Sequence, residues 1–290
     1  MAGLLLSRDW GLVITNGDKY SLTEVGARNT LDWRIHLTKD GSPASFWHDV
    51  PLYPNSGNSS VIDFVVEIPR WTDAKIEIKR DEPLNPIFHD GMANFTDFPG
   101  DNDPMDAFDI GNDIGYVGQI KQVKVLGALA LNDGGETDWK VIVLDVNDPL
   151  APFVESVEDL EEYRPGIAEA YRQWYLYYKV ARGDGVLEIV GEEYQDASFA
   201  ARTIEESHGF WRELVAGEVD SNEISYNQTS LAEFSNSFVE TVSTYDAFDI
   251  PRESSIEAAA EKPDEYDHWY YLDDEYELIV LPGEEVGDDD

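Results

Sequence analysis

Two apolar, β-branched runs, Gln122–Leu131 and Trp139–Val146, flank the tetrapeptide Asn132–Asp133–Gly134–Gly135. Asn, Asp and Gly in a row supply the left-handed backbone that tight hairpins require. The pattern predicts one long antiparallel hairpin at the centre of the chain. Val61–Trp71 (VIDFVVEIPRW) and Ala74–Lys79 (AKIEIK) read as further strands, with Pro69 suited to a strand edge. Beyond the hairpin the period changes. Ser156–Tyr163, Pro165–Val180 and Asp196–Val215 show helical spacing. Pro165 is placed to open its helix, and Asp196 to cap the next. Phe199, Ile204, Phe210 and Trp211 on that helix are expected in the core.

Charge narrows the function. The 290 residues carry 20 Lys+Arg against 60 Asp+Glu, a formal net charge of −40. A duplex nucleic acid or an anionic membrane needs clustered cations, so both are poor partners. Hydrophobic residues at 42% and aromatics at 12% argue for a folded chain rather than a solvated one. Without cysteine there is no disulfide, thiolate metal site or thiol nucleophile. Leu4–Leu6 is cut short by Ser7, Arg8 and Asp9, too brief for a signal-peptide core, so a cytoplasmic location is expected. The last thirty residues hold thirteen acids and one lysine. One β-rich domain of catalytic type packed with helices is expected, followed by an extended acidic arm.

Four clusters could carry chemistry. In Gly100–Gly111 (GDNDPMDAFDIG), Asp101, Asp103 and Asp106 crowd around Pro104. Carboxylates so close repel one another unless a cation sits among them. Mg²⁺ suits them, as a hard ion that takes oxygen ligands and keeps several waters. A solvated acidic turn explains this motif equally well when it is taken alone. Asp133 marks the hairpin tip, and Asp138 and Lys140 are two apart on a strand, so they share a face. Lys75 and Glu77 do the same, with Glu67 on the preceding strand; Arg70, Lys79 and Arg80 make this the most basic stretch of the chain. Tyr178–Lys179 ends the helix that begins near Pro165. Each pair read singly is an ordinary salt pair or surface charge. Together, grouped acids with lysines beside them describe a site for a small polyanion carried with Mg²⁺, the pairing that phosphoryl transfer needs. No G-x-x-x-x-G-K-[ST] loop, Ser-His-Asp set or H-E-x-x-H motif is present.

These motifs carry a resemblance. FWHDVPLY (Phe46–Tyr53), VVEIPRWTDAKIEI (Val65–Ile78), GDNDPMDAFDIG, GETDWKVIVLDVNDPLAP (Gly135–Pro152) and Tyr178–Lys179 resemble the soluble family I inorganic pyrophosphatases in their fungal and animal form. The likeness runs from about Val25 to Gly217, and so implies a catalytic domain over 25–217 between an N-terminal extension over 1–24 and an acidic C-terminal arm over 218–290. It implies an α+β, mainly β fold: an OB-like, closed or partly open five-stranded barrel with flanking helices. It implies Mg²⁺-dependent hydrolysis of pyrophosphate, taken up as its Mg complex, and suggests a homodimer. By position, Asp101, Asp106 and Asp138 would ligate the activating ions, and Asp133 and Glu77 further ones. Asp103 would orient or deprotonate the attacking water, with Lys75 and Glu67 also in the catalytic set. Lys75, Lys140, Tyr178 and Lys179 would bind pyrophosphate oxygens. One departure stands out. Between Asn85–Ile87 and Gly100 the family carries a longer block with a phosphate-binding Arg and two Tyr, and here only FHDGMANFTDFP lies between. That loss motivates an alternative, a catalytically impaired homologue that binds metal and serves as a scaffold or dimer partner. A third reading, an acidic module for basic partners, explains the charge but not the motif spacing.

Overall fold

The structure is a computed structural model. It describes residues 19–55, 58–72, 74–91, 103–133, 135–180, 185–191, 194–262, 271–275 and 277–279. Nine strands come first: β1 (Tyr20–Gly26), β2 (Arg34–Lys39), β3 (Ser42–Ala44), β4 (Val61–Val65), β5 (Lys75–Ile78), β6 (Ile87–Gly91), β7 (Ala107–Asp109), β8 (Ile120–Asp133) and β9 (Glu136–Asp145). Helices α1 (Val157–Tyr163) and α2 (Ile167–Tyr177) follow. Then come β10 (Glu188–Ile189), β11 (Gln195–Asp196), α3 (Ala197–Ala216), α4 (Thr241–Ala247), β12 (Ser255–Ile256), β13 (Tyr271–Leu272) and β14 (Leu278–Ile279).

The expected hairpin is β8–β9, paired antiparallel from Val123↔Asp145 to Asp133↔Glu136. Its register slips by one residue between Val125 and Gly127. Because side chains alternate with a period of two, one extra residue exchanges the faces. Val123 and Val125 enter one core cluster before the slip, and Ala128 enters it after. Leu126 faces the opposite side, where Leu129 and Leu131 follow. A Cβ on Gly127 would lie 2.6 Å from the Gln195 carbonyl, so the crossing of β11 requires glycine at the bulge.

Two sheets result. One runs β12-β1-β2-β6-β5 with β3 on β2; the other runs β10-β8-β9-β7 with β4 and β11 on β8. The mainly β, OB-like fold with flanking helices is present in partly open form. Each curled sheet has six strands rather than one barrel having five. The extra strands are short and carry no alternation to read. Trp33, Ile35, Leu37, Phe46, Ile76, Ile78 and Ile87 fill the core of the first sheet. On the second, α1 and α3 cover opposite faces through Leu160 and Ile204.

Three local expectations need correction. The Val61–Trp71 strand stops at Val65, because the chain turns away and Trp71 adopts φ 71°. Gly166, with φ 83°, stands at the N-cap of α2, so Pro165 precedes the helix instead of opening it. Phe210 is 61% exposed and lies outside the core. Asp196 does cap α3, accepting from the Phe199 backbone N–H at 2.7 Å.

After α3 the chain straps the first sheet. Ser225 donates its N–H to the Arg80 carbonyl at 2.7 Å, and its own carbonyl accepts from Asn85 Nδ2 at 2.9 Å. Thr229 N–H donates to Asp49 Oδ1 at 2.8 Å. The strap ends in β12, which pairs parallel with β1.

Candidate active site

The carboxylates gather where β5, β7 and β9 approach one another. Glu67 follows β4, and its Oε1 accepts from the Ile78 backbone N–H at 2.8 Å, which ties it to β5. Part of Glu67 touches solvent, but its carboxyl end is enclosed. Burial, followed by the charges of Asp106, Glu77 and Asp103, pushes its pKa up to about 8; the Ile78 N–H opposes the rise. Three acids from two segments thus act on a fourth.

Two lysines stand among them. Lys140 and Asp138 share a face of β9 as their spacing predicts, with Nζ 2.6 Å from Asp138. Lys140 also pairs with Asp106, which lies just before β7. Burial alone would lower the Lys140 pKa, yet the Asp106 and Asp138 charges outweigh it and hold the ammonium well above its ordinary value. Lys75 pairs with Glu77 along β5. Asp103 meets Arg80, with Nη1 3.4 Å from Oδ1.

Tyr178 and Lys179 sit at the C-terminal end of α2. Tyr178 stacks on Trp174, with ring centroids 4.8 Å apart. Lys179 is buried, its Nζ 5.9 Å from the Tyr178 ring. Tyr175 bridges this helix to the acids. Its hydroxyl is raised first by burial, and Lys140, Asp106, Tyr178 and Asp138 all act on it. A cleft of about 380 Å³ beside Tyr178 is lined by Trp174, Tyr177 and Leu272, an apolar setting that suits no polyanion. Asp133 ends β8 at the hairpin tip. Asp101 and residues 92–102 generally lie outside the described residues.

The donor set fits a hard divalent cation. It consists of carboxylate oxygens with no sulfur ligand, and the charges of Asp106, Glu77 and Asp103 add to the burial that raises the Glu67 pKa. Among the described residues no three acids converge closely enough to hold one ion as the side chains stand; Lys140 draws Asp106 and Asp138 to itself instead. Arg80 and Tyr175 were not assigned from sequence. Arg80 had one signal, its place three residues after Glu77 in the basic stretch. Tyr175 had only its spacing from Tyr178, which core packing explains equally well.

A family model described as inorganic pyrophosphatase matches residues 64–212. An inorganic pyrophosphatase of Kluyveromyces lactis is 35% identical over 288 positions, covering 87% of this chain and 98% of that protein. The chain belongs to the inorganic pyrophosphatase family. A second relative bearing that name, from Schizosaccharomyces pombe, is 40% identical over 70% of this chain and 82% of its own length. Among solved structures, inorganic pyrophosphatase from Schistosoma japonicum superposes with a TM-score of 0.74 at 30% identity, covering 86% of this chain and 99% of that one. The K. lactis alignment spans more positions than the 87% of 290 residues this chain supplies. That relative therefore carries residues with no counterpart here, in keeping with the short Ile87–Gly100 connection.

Among the described residues no helix is long and apolar enough to cross a membrane.

Proposed function

We propose that the chain hydrolyses inorganic pyrophosphate to two phosphates with Mg²⁺. The observation that carries this is the carboxylate–lysine cluster where β5, β7 and β9 meet: Lys140 pairs with both Asp106 and Asp138, and Lys75 pairs with Glu77. Asp101, Asp106 and Asp138 would hold the activating Mg²⁺, and Asp133 and Glu77 further ions. Bound there, Mg²⁺ neutralises phosphate charge and lowers the pKa of a coordinated water toward neutrality.

The chain's own groups divide the remaining work. Lys75, Lys140, Tyr178 and Lys179 hold the pyrophosphate oxygens and align them. Asp103 orients the attacking water and takes its proton. The water oxygen bonds to one phosphorus as the bridging P–O bond breaks, and the leaving phosphate carries off the electron pair. Glu67, kept protonated near neutrality until cations arrive, spares the empty site one more negative charge.

Residues 25–217 form the catalytic unit in this reading, between the 1–24 extension and the acidic 218–290 segment. The protein works in the cytosol, and a homodimer is its expected assembly. The test is phosphate release from pyrophosphate with Mg²⁺ by the full chain and by Asp103→Asn. A folded, intact chain that releases no phosphate overturns the reading. The impaired-homologue alternative rests on the short connection alone, and near end-to-end coverage of relatives named inorganic pyrophosphatase favours the enzyme.

A further inference from the structure

We propose that Tyr175 is a positioning residue for Lys140, its phenol oxygen holding the ammonium that grips the phosphate. The inference rests on the pyrophosphatase reading and adds a residue to it. The fold brings Tyr175 to this spot from two sides. Its ring packs with Leu129 and Leu131 of β8. In the β8–β9 register Leu129 stands opposite Lys140, and Leu131 opposite Asp138. Side chains of directly opposed residues share a face of the sheet, so Tyr175 covers the face that carries Lys140 and Asp138. The ring also meets Phe108 of β7 edge-on, with centroids 5.7 Å apart. Asp106 stands two residues before Phe108 and continues the β7–β9 ladder, its carbonyl accepting from the Val141 N–H at 2.9 Å. The strand period therefore turns Asp106 and Phe108 the same way. Of the charged groups that act on the Tyr175 hydroxyl, Lys140 acts most strongly.

Lys140 has need of such a neighbour. Its side chain is only 6% exposed, and both of its carboxylate partners, Asp106 and Asp138, are assigned to Mg²⁺ in the same reading. An ammonium carries three donors. With both carboxylates engaged elsewhere, an enclosed ammonium that turns to phosphate leaves donors unsatisfied, and that is costly away from water. A phenol oxygen accepts from Lys140 while its own proton remains to be donated. Burial keeps the Tyr175 hydroxyl protonated, so it adds no charge to a site crowded with acids. The ring is held in place as well, edge-on to Trp174 at 5.1 Å and to Tyr178 at 6.3 Å. Among the described residues its hydroxyl makes no hydrogen bond, whereas Tyr194 gives its own to the Ala168 carbonyl at 2.7 Å. Phenylalanine would serve the packing equally well, so the hydroxyl is the atom that tells the two roles apart.

The experiment compares the full chain with Tyr175→Phe, Lys140→Gln, the double variant and, as a control, Tyr171→Phe. Tyr171 lies one turn earlier on α2 and also packs on Phe108, but Arg70, Arg164 and Asp109 are the charges that act on its hydroxyl. Two quantities are read with Mg²⁺: the affinity for inorganic phosphate by calorimetry, and KM and kcat for pyrophosphate. Tyr175→Phe is expected to weaken phosphate binding and raise KM by roughly 10- to 100-fold, the range of one hydrogen bond to a charged group. Tyr171→Phe should match the parent. In the Lys140→Gln background the Tyr175→Phe loss should largely disappear, because the group it positions is gone. Unchanged phosphate affinity in Tyr175→Phe overturns the proposal. So does a loss of the same size with and without Lys140, since the hydroxyl would then act independently of it. A matching loss in Tyr171→Phe overturns it too, by tracing the effect to the packing of α2. An unmutated chain that turns over no pyrophosphate removes the parent reading, and the phosphate titrations still decide whether Tyr175 acts through Lys140.

Discussion

Two buried lysines on neighbouring strands of the second sheet each gather acids, and they differ in what those acids have left to offer. Lys121, on β8, meets Asp109 at 3.0 Å, Asp113 at 3.1 Å and Asp145 at 3.4 Å. Lys140, on β9, meets Asp106 and Asp138. In both cases burial lowers the ammonium pKa and the neighbouring charges more than restore it. The acids around Lys121 are committed elsewhere too. Asp109 Oδ1 accepts from the N–H of Gly111 at 2.8 Å and of Asp145 at 3.3 Å, and Asp145 Oδ1 accepts from the N–H of Asn147 at 2.8 Å. Asp109 and Asp145 are sealed, whereas Asp106 leaves 52% of its side chain open. Asp113 is open to solvent as Asp106 is, so the two regions differ in the sealed pair: backbone donors share Asp109 and Asp145 and neither faces water, which makes them a brace on Lys121. The brace also serves the site, for Asp109 lies three residues after Asp106 and pins β7 against β8.

The largest effect that separates the two regions is on catalysis. Asp103→Asn should lower phosphate release by about 10²–10⁴-fold, the usual contribution of a positioned general base, with the unfolding midpoint nearly unchanged. Comparable turnover in the variant would sink the role given to Asp103. Lys121→Met should instead act on the fold. Leaving sealed carboxylates without their cation costs about 3–5 kcal/mol, readable by denaturant titration, and a loss below about 1 kcal/mol would mean the brace is not one.

Mg²⁺ should sharpen the contrast. At a hundred times its dissociation constant it is expected to stabilise the chain by about 2.7 kcal/mol. That gain should vanish in Asp106→Asn and persist in Asp113→Asn, and equal gains in both would place the ion elsewhere.

A smaller effect is pH-dependent. The folded pKa of Glu67 lies above its ordinary value, raised to about 8 from 4.5 by burial and then by Asp106. The native state therefore holds a proton that the unfolded chain releases. Its contribution to stability is complete below about 4.5 and is lost as pH rises through about 8. Denaturant midpoints of the metal-free chain on either side of that window should fall more for the parent than for Glu67→Gln; identical slopes would show that Glu67 is not buried as described. Smallest of all, Asp113→Asn should cost no more than about 1 kcal/mol, because its carboxylate is 58% exposed and solvent screens the pair.

What could be read from the sequence followed its range in the chain. Asp138 and Lys140, or Lys75 and Glu77, are two apart, and the strand period alone places them together. The hairpin and the cap at Asp196 are likewise local. The meeting of Lys140 with Asp106, 34 residues away, depended on the parallel pairing of β7 with β9, which no local pattern encodes. The Lys121 brace was missed for the same reason. Its three acids are scattered from 109 to 145, in a chain where acids are too common for another to stand out. Phe210 misled because helical spacing marks a face without saying whether anything packs on it.

The parallel pairing of β12 with β1 joins Val25 to Ser255 and Gly26 to Ile256, with Glu257 N–H donating to the Gly26 carbonyl at 3.1 Å. A chain emerging from the ribosome makes β1 near the start and must wait for some 230 further residues before this partner exists. Until then the outer edge of β1 is an open row of amides and carbonyls, the kind of edge that recruits other nascent chains. Synthesis interrupted before Ser255 would thus release a molecule carrying nearly all of the chemistry but an unsealed edge.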